Sequence, residues 1–318
     1  MGQKCSDCSW SSKESEIVFE YPKDNKDGPS ESMTTEFSTR QYSSLQLEKL
    51  IKIQACWRGY KTRKIIFFLK SSKFLKMTKS NSNKALAFNT EGVYVGETKN
   101  GMKEGQGTKT WPDRSKYTGQ WKENKSNGHG KFFHTSGDIF EGNWLDDKAN
   151  GKGIYIRKNG GKYIGDWNQD LQTGYGEEVW SDGSSYIGFY LLGKKHGFGM
   201  YKWRDGSIYA GNWNENKLHG FGNYTWLDGR KYIGEWVDNK MHGKGVYSWR
   251  DGRKYKGQYF EDKKHGIGSY VWPDKKKYKG GWKCGRQNGE GVIILPGGKK
   301  ERGIWEDGRK VKALQELE

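Results

Sequence analysis

Residues 232–254 read YIGEWVDNKMHGKGVYSWRDGRK, and the spacing inside this stretch decides the fold. Tyr232, Gly234 and Trp236 occupy alternate positions, so a strand would carry all three on one face. Gly243 and Gly245 then lead a second strand bearing Tyr247 and Trp249, and Asp251 with Gly252 begins the return. Glycine between large rings leaves room for them to lie close to the backbone. A single hairpin of this kind is marginal in water, so it has to stack against others.

The others are present on both sides. An aromatic residue returns every 23 residues, at Tyr94, Tyr117, Phe140, Tyr163, Tyr186, Tyr209, Tyr232, Tyr255 and Tyr278. The first glycine of a Gly-x-Gly pair keeps the same interval from Gly105 to Gly289, with no insertion. Such register is the mark of a repeat array. The departures are local: Thr98, His134 and Arg157 stand where tryptophan is expected, Tyr190 and Tyr259 are aromatic exchanges, and Leu295 ends the ring series. Composition agrees, since 15 Trp, 19 Tyr and 46 Gly accompany a mean hydropathy of −1.05 and only 32% apolar residues. That excludes a thick globular core and favours aromatic-rich β structure with many turns.

The repeat resembles the MORN family, the membrane occupation and recognition nexus repeat, over residues 94–300. Glu301, Gly303 and Trp305 keep a partial tenth unit within residues 301–318. The resemblance implies a mainly β fold: an elongated, twisted antiparallel sheet, not a closed barrel. It further implies a scaffold in cytoskeletal, ciliary or membrane-associated assemblies, with self-association in some members.

Charge separates what precedes the array. Residues 1–39 hold four Lys/Arg against eight Asp/Glu, whereas residues 40–84 hold twelve against one, within a total of +18. Residues 1–42, rich in Ser, Asp, Glu and Lys without apolar periodicity, read as a flexible arm. Its first eight residues, MGQKCSDC, fit the N-myristoylation pattern, with Gly2 as the acceptor amine and Ser6 in place. One myristoyl chain binds membrane reversibly, so Cys5 and Cys8 would supply palmitate as the second anchor. The basic block would add attraction to anionic membrane lipids.

From Ser43 the pattern changes to a proline-free amphipathic helix over residues 43–77, with a capping box from Ser43 to Gln46 and a linker over residues 78–93. Leu50, Ile53, Trp57 and Tyr60 share one face, surrounded by Lys52, Arg58, Lys61, Arg63 and Lys64. Residues 53–66, IQACWRGYKTRKII, resemble the IQ motif, met at Ile53, Gln54, Arg58, Gly59, Arg63 and Ile66, with Trp57 a further apolar anchor. The resemblance implies calmodulin or a related EF-hand protein as partner. Ile53 would pack in a lobe, Gln54 would bond to its backbone, Arg58 and Arg63 would meet acidic or carbonyl groups, and Gly59 would permit close approach. Apolar anchors ringed by cations suit an acidic partner on physical grounds as well. Packing on the repeat sheet and direct membrane contact are the alternatives, neither exclusive of that partner.

Nothing points to catalysis. His196, His219, His242 and His265 recur one per repeat, before what reads as a Gly-x-Gly turn, and successive imidazoles stand too far apart to share a metal ion. Asp205, Asp228 and Asp251 read as turn residues before glycine. No nucleotide loop, cofactor site or metal site is expected, and nucleic acid is disfavoured because the array mixes both signs of charge. The four cysteines are too scattered for a disulfide framework, and no apolar run is long enough for a span or a secretory leader. The expectation is a non-enzymatic adaptor at the cytoplasmic face of membranes, the cell cortex or a cilium. The alternative is a constitutive axonemal or cortical structural protein with no membrane or calcium-regulated role.

Overall fold

The computed structural model describes residues 92–314. By contact the chain separates into Met1–Thr78 and Lys79–Glu318, and the described residues belong to the second unit. They form twenty strands, from β1 (Val93–Lys99) and β2 (Met102–Thr110) to β19 (Lys300–Glu306) and β20 (Arg309–Ala313). Each strand pairs antiparallel with the next in sequence, giving one uninterrupted meander. Within the described residues β1 pairs only with β2, and β20 only with β19, so the sheet is open as expected.

The unit that opened the sequence reading shows how one repeat works. In β13 (Lys231–Val237) Tyr232, Gly234 and Trp236 are all buried while the residues between them are more exposed. The Tyr232 ring lies over a glycine pair in register, Gly234 opposite Gly245. A Cβ on Gly234 would sit 2.6 Å from the Tyr232 Oη, and one on Gly245 would sit 2.5 Å from its Cε2. The ring therefore occupies the volume that two side chains would fill. That pairing continues across strands: Gly222 faces Gly234, Gly245 faces Gly257, and the row runs from Gly96 to Gly303.

The second strand of the unit differs from the expectation. β14 runs Lys240–Ser248, so Gly243 and Gly245 lie inside it instead of leading it. The Gly-x-Gly is not a turn. Gly243 has a φ of +53° at a bulge that follows the Gly234–Gly245 pair, and Gly245 belongs to the ring-bearing row. The hairpin turn is earlier, at Asp238 and Asn239, whose φ values of 46° and 70° between the paired Val237 and Lys240 are those of a type I′ turn. Asp and Asn tolerate this region better than other side-chain-bearing residues, because they bond their own backbone there.

The turn also joins repeats. Asn239 N–H donates to the Leu218 carbonyl at 2.9 Å, and Leu218 N–H donates back to Asn239 Oδ1 at 2.8 Å. The same reciprocal pair links Asp147 with Ser126, Asp170 with Ala149 and Asp262 with Met241. Trp249 stands just past β14 and opens the return: its N–H donates to Arg253 O, and Gly252 N–H donates to Trp249 O. That is a three-residue hairpin loop closed by a left-handed residue.

Gly245→Ala should lower stability by about 3 kcal/mol through ring displacement, against about 1 kcal/mol for Gly252→Ala, where only the backbone angle is strained. Urea denaturation of the two variants checks this, and equal losses would remove the ring-over-glycine account. At the loop position held by Gly252, Arg114 and Lys275 carry φ values of 71° without being glycine. Arg114→Gly and Lys275→Gly should each stabilise the array by roughly 0.5–1 kcal/mol, read as raised denaturation midpoints.

Candidate functional site

The ring-bearing face is the candidate interaction surface, and two rows of aromatic side chains build it. In the first row each tyrosine from Tyr117 onward meets two rings edge-on: Tyr232 lies 5.1 Å from Trp236 and 5.2 Å from Tyr259, both near perpendicular. The contacts pass unbroken from Tyr94–Trp121 to Tyr278–Trp305. T-shaped pairs of this kind add to the burial itself. Tyr232 Oη donates to Glu235 O at 3.0 Å and Trp121 Nε1 donates to Gly107 O at 3.0 Å, whereas Trp167 Nε1 is buried with no acceptor. Burial pushes the phenols up, to about 12 for Tyr278. This row is consumed by folding.

The second row is more open. From Trp180 to Trp272, rings of alternate tyrosine and tryptophan meet at interplanar angles from 31° to 71°, with Tyr224–Trp226 and Tyr247–Trp249 both at 4.4 Å. Two lysines reach into the space between the rows. Lys195 Nζ stands 4.8 Å from the Trp180 ring, 5.5 Å from Tyr186, 5.2 Å from Tyr201 and 5.9 Å from Trp213. Lys264, three repeats later, stands 5.5 Å from Trp249, 5.5 Å from Tyr255, 4.7 Å from Tyr270 and 4.9 Å from Trp282. Each ammonium sits in a four-walled aromatic cage, and burial lowers the pKa of both.

Upstream of Trp180 the second row changes character. Arg157 takes a tryptophan position and Glu178 a tyrosine position. Arg157 Nη2 bonds Glu178 Oε1 at 2.6 Å, and Tyr190 Oη donates to Glu178 Oε2 at 2.8 Å. The Glu178 side chain is only 6% exposed, so the arginine holds a carboxylate inside an otherwise aromatic layer. Sequence reading singled out Arg157 and Tyr190 separately as departures but missed Glu178, the residue that joins them. On the opposite face Phe189, Phe221 and Ile267 remain exposed.

A family model for the MORN repeat matches nine consecutive segments between residues 94 and 300. The chain belongs to the MORN-repeat family. A second family model, the IQ calmodulin-binding motif, matches residues 48–66. The MORN repeats point to association with membrane or cytoskeleton, and the IQ motif to calmodulin binding. Among curated proteins none matches in sequence. Among solved structures, the TCP10 domain of Danio rerio CPAP in complex with a peptide of Danio rerio STIL is 11% identical, covering 70% of this chain and 97% of that one, with a TM-score of 0.40. The TCP10c domain of Drosophila melanogaster Sas-4 is 15% identical, covering 49% and 99%, with a TM-score of 0.25. At such TM-scores neither a shared fold nor a shared function follows.

Ile53, Gln54, Trp57, Arg58, Gly59, Arg63 and Ile66 lie outside the described residues, as do Gly2, Cys5 and Cys8. His196, His219, His242 and His265 precede a bulge, not a turn. His242 packs against Phe260 at 5.1 Å, and His219 Nδ1 stands 3.9 Å from an Asp238 oxygen. No group of three or more His, Cys, Asp or Glu side chains is placed to hold a metal ion among the described residues.

Removing the arginine alone should be costly, because Glu178 would stay buried without its cation. Arg157→Met should destabilise the MORN array by about 3 kcal/mol, whereas the triple change Arg157→Trp, Glu178→Tyr and Tyr190→Trp should be neutral or stabilising. Chemical denaturation midpoints of both variants decide whether the three positions act as a unit.

Proposed function

We propose that this protein is a non-enzymatic adaptor that couples an EF-hand protein to a membrane-associated, cortical or ciliary cytoskeletal assembly. One observation carries the reading: a match to the IQ motif at residues 48–66 lies in the same chain as nine contiguous MORN repeats. The IQ segment is the recruiting element, with Ile53, Trp57 and Ile66 as apolar anchors and Gln54, Arg58, Gly59 and Arg63 as its polar and close-contact positions. The array is the attachment element, whose first ring row makes the fold and whose remaining surface meets other proteins, a second copy of the chain, or lipid. Acylation at Gly2, with Cys5 and Cys8, places the N-terminus at the cytoplasmic face of a membrane.

The physical support for an acidic partner is charge. Residues 40–84 carry twelve Lys/Arg against one acidic residue, and an EF-hand protein presents the opposite sign around apolar clefts. Anchors in such a contact dominate its energy, so few truncations suffice to test it.

Calorimetry of the full chain with calmodulin, once with calcium and once with chelator, should give saturable one-to-one binding in at least one condition. Ile53→Ala with Arg58→Ala should weaken it roughly 30-fold or more, corresponding to ~2 kcal/mol. Absence of binding in both conditions would favour the constitutive structural reading instead. In cells, Gly2→Ala should release the protein from membrane, and an unchanged location would remove the acyl anchor from the account.

A further inference from the structure

The position that supplies Lys195 and Lys264 to their cages recurs in every repeat, and its occupant varies. It is Leu218 and Met241 in two repeats, which fill the space with an apolar chain, but Ser126 and Ala149 in two others. The cage walls survive where the occupant is too short. At Ser126 they include Trp111, Phe132 and Trp144, and at Ala149 they include Phe140, Tyr155 and Trp167, with His134 in a tryptophan position. The result is an open cavity of about 610 Å³ spanning both repeats. A ring-lined cavity of this size is in the range of small-ligand sites.

Two features of the walls define what fits. Asp147 and Asp170 line the cavity, each held by a backbone bond of 2.7 Å from Ser126 and Ala149. Those two carboxylates outnumber the one lysine of the lining, Lys109, whose Nζ lies 5.1 Å over the Trp111 ring. The second feature is the aromatic lining: Trp144 Nε1 donates to Gly130 O at 3.1 Å within the sheet and Trp167 Nε1 is likewise enclosed, so neither indole N–H is a donor to the cavity and the rings act through their faces.

We propose that the cavity over Ser126 and Ala149 binds a lysine side chain of a partner polypeptide, its ammonium among the rings and beside Asp147 and Asp170. The chain itself displays the bound geometry twice: Lys195 and Lys264 show how a butyl stem and ammonium fill this cage when the lysine is internal. Where the stem is absent, the lysine comes from outside. Primary ammonium is favoured over a neutral group by the ring quadrupoles and by Asp147 and Asp170, and a lysine side chain is favoured over a shorter amine because its butyl stem fills the volume that the stems of Lys195 and Lys264 fill in their own cages. The site goes beyond the adaptor reading, since it holds whether or not residues 48–66 bind calmodulin.

The test is a titration of the full chain, isotopically labelled at tryptophan, with Nα-acetyl-lysine methylamide and with its norleucine counterpart, which has the same stem without the ammonium. The indole N–H resonances of Trp144 and Trp167 should shift saturably with the lysine compound, those of Trp213 and Trp282 should stay still, and the norleucine compound should bind about tenfold more weakly or not at all. Ser126→Lys with Ala149→Lys should abolish the response by filling both cages from within, while Leu218→Lys, at the same repeat position outside the cavity, should leave it intact. Unchanged dispersion of the Trp282 signal in each variant confirms that it is folded. Equal binding of norleucine, a response spread over all the indoles, no saturable response, or binding that persists in the doubly filled variant would each overturn the proposal.

Discussion

Everything in the array depends on a tyrosine ring lying flat on a pair of glycines. Layered domains bury one sheet face against another element, but here the rings themselves are the covering layer. Tyr232 and its repeat equivalents Tyr117, Tyr163, Tyr186, Tyr209, Tyr255 and Tyr278 are fully buried although only one sheet is described. That is achieved because Gly234 and Gly245 remove two side chains beneath the ring, and because Trp236 and Tyr259 close its edges. The hydroxyl emerges where the Glu235 carbonyl is available, so burial leaves the phenol bonded. A face that would otherwise be wet becomes a core one ring thick.

The second ring row follows from the first but is under less constraint. Its members stand at strand ends and turn starts, as Tyr247 and Trp249 do, and they overlap at varied angles instead of a fixed perpendicular. Sequence variation collects there. His134, Arg157 and Glu178 all replace aromatic residues in this row, whereas between Tyr94 and Tyr278 the first row lacks a ring only at Thr98. Folding fixes one row and leaves the other free to specialise, so differences between repeats along it are where binding properties arise.

The sequence showed the periodic parts of this and hid the conditional parts. Tyr232, Gly234 and Trp236 on one face were legible because a strand alternates and nothing else about them varies. The second strand was misplaced because Gly243 and Gly245 look alike in sequence yet serve different needs, one for a backbone angle at a bulge and the other for ring clearance. Reading the pair as a turn concealed the true turn at Asp238 and Asn239, whose residues lack the glycine that usually announces a tight hairpin. Lys195 was invisible for another reason: its position alternates between Lys, Ser, Ala, Gln, Leu and Met, which resembles an unconstrained surface site. Only in the folded sheet do four rings come together around it. The IQ residues were legible as a motif and lie outside the described residues, so their reading rests on the family match at residues 48–66.

The bonds between Asn239 and Leu218, and the contact of Tyr232 with Tyr259, reach no farther than the adjacent repeat. A chain wired only to its neighbours has no fixed length written into it. Duplication or loss of one whole 23-residue unit, such as residues 163–185, would deliver matching surfaces to both sides of the seam. Gene copying can thus lengthen or shorten the array in whole steps while every surviving repeat keeps its partners, and the spacing between its two ends becomes a heritable quantity that evolution adjusts by counting.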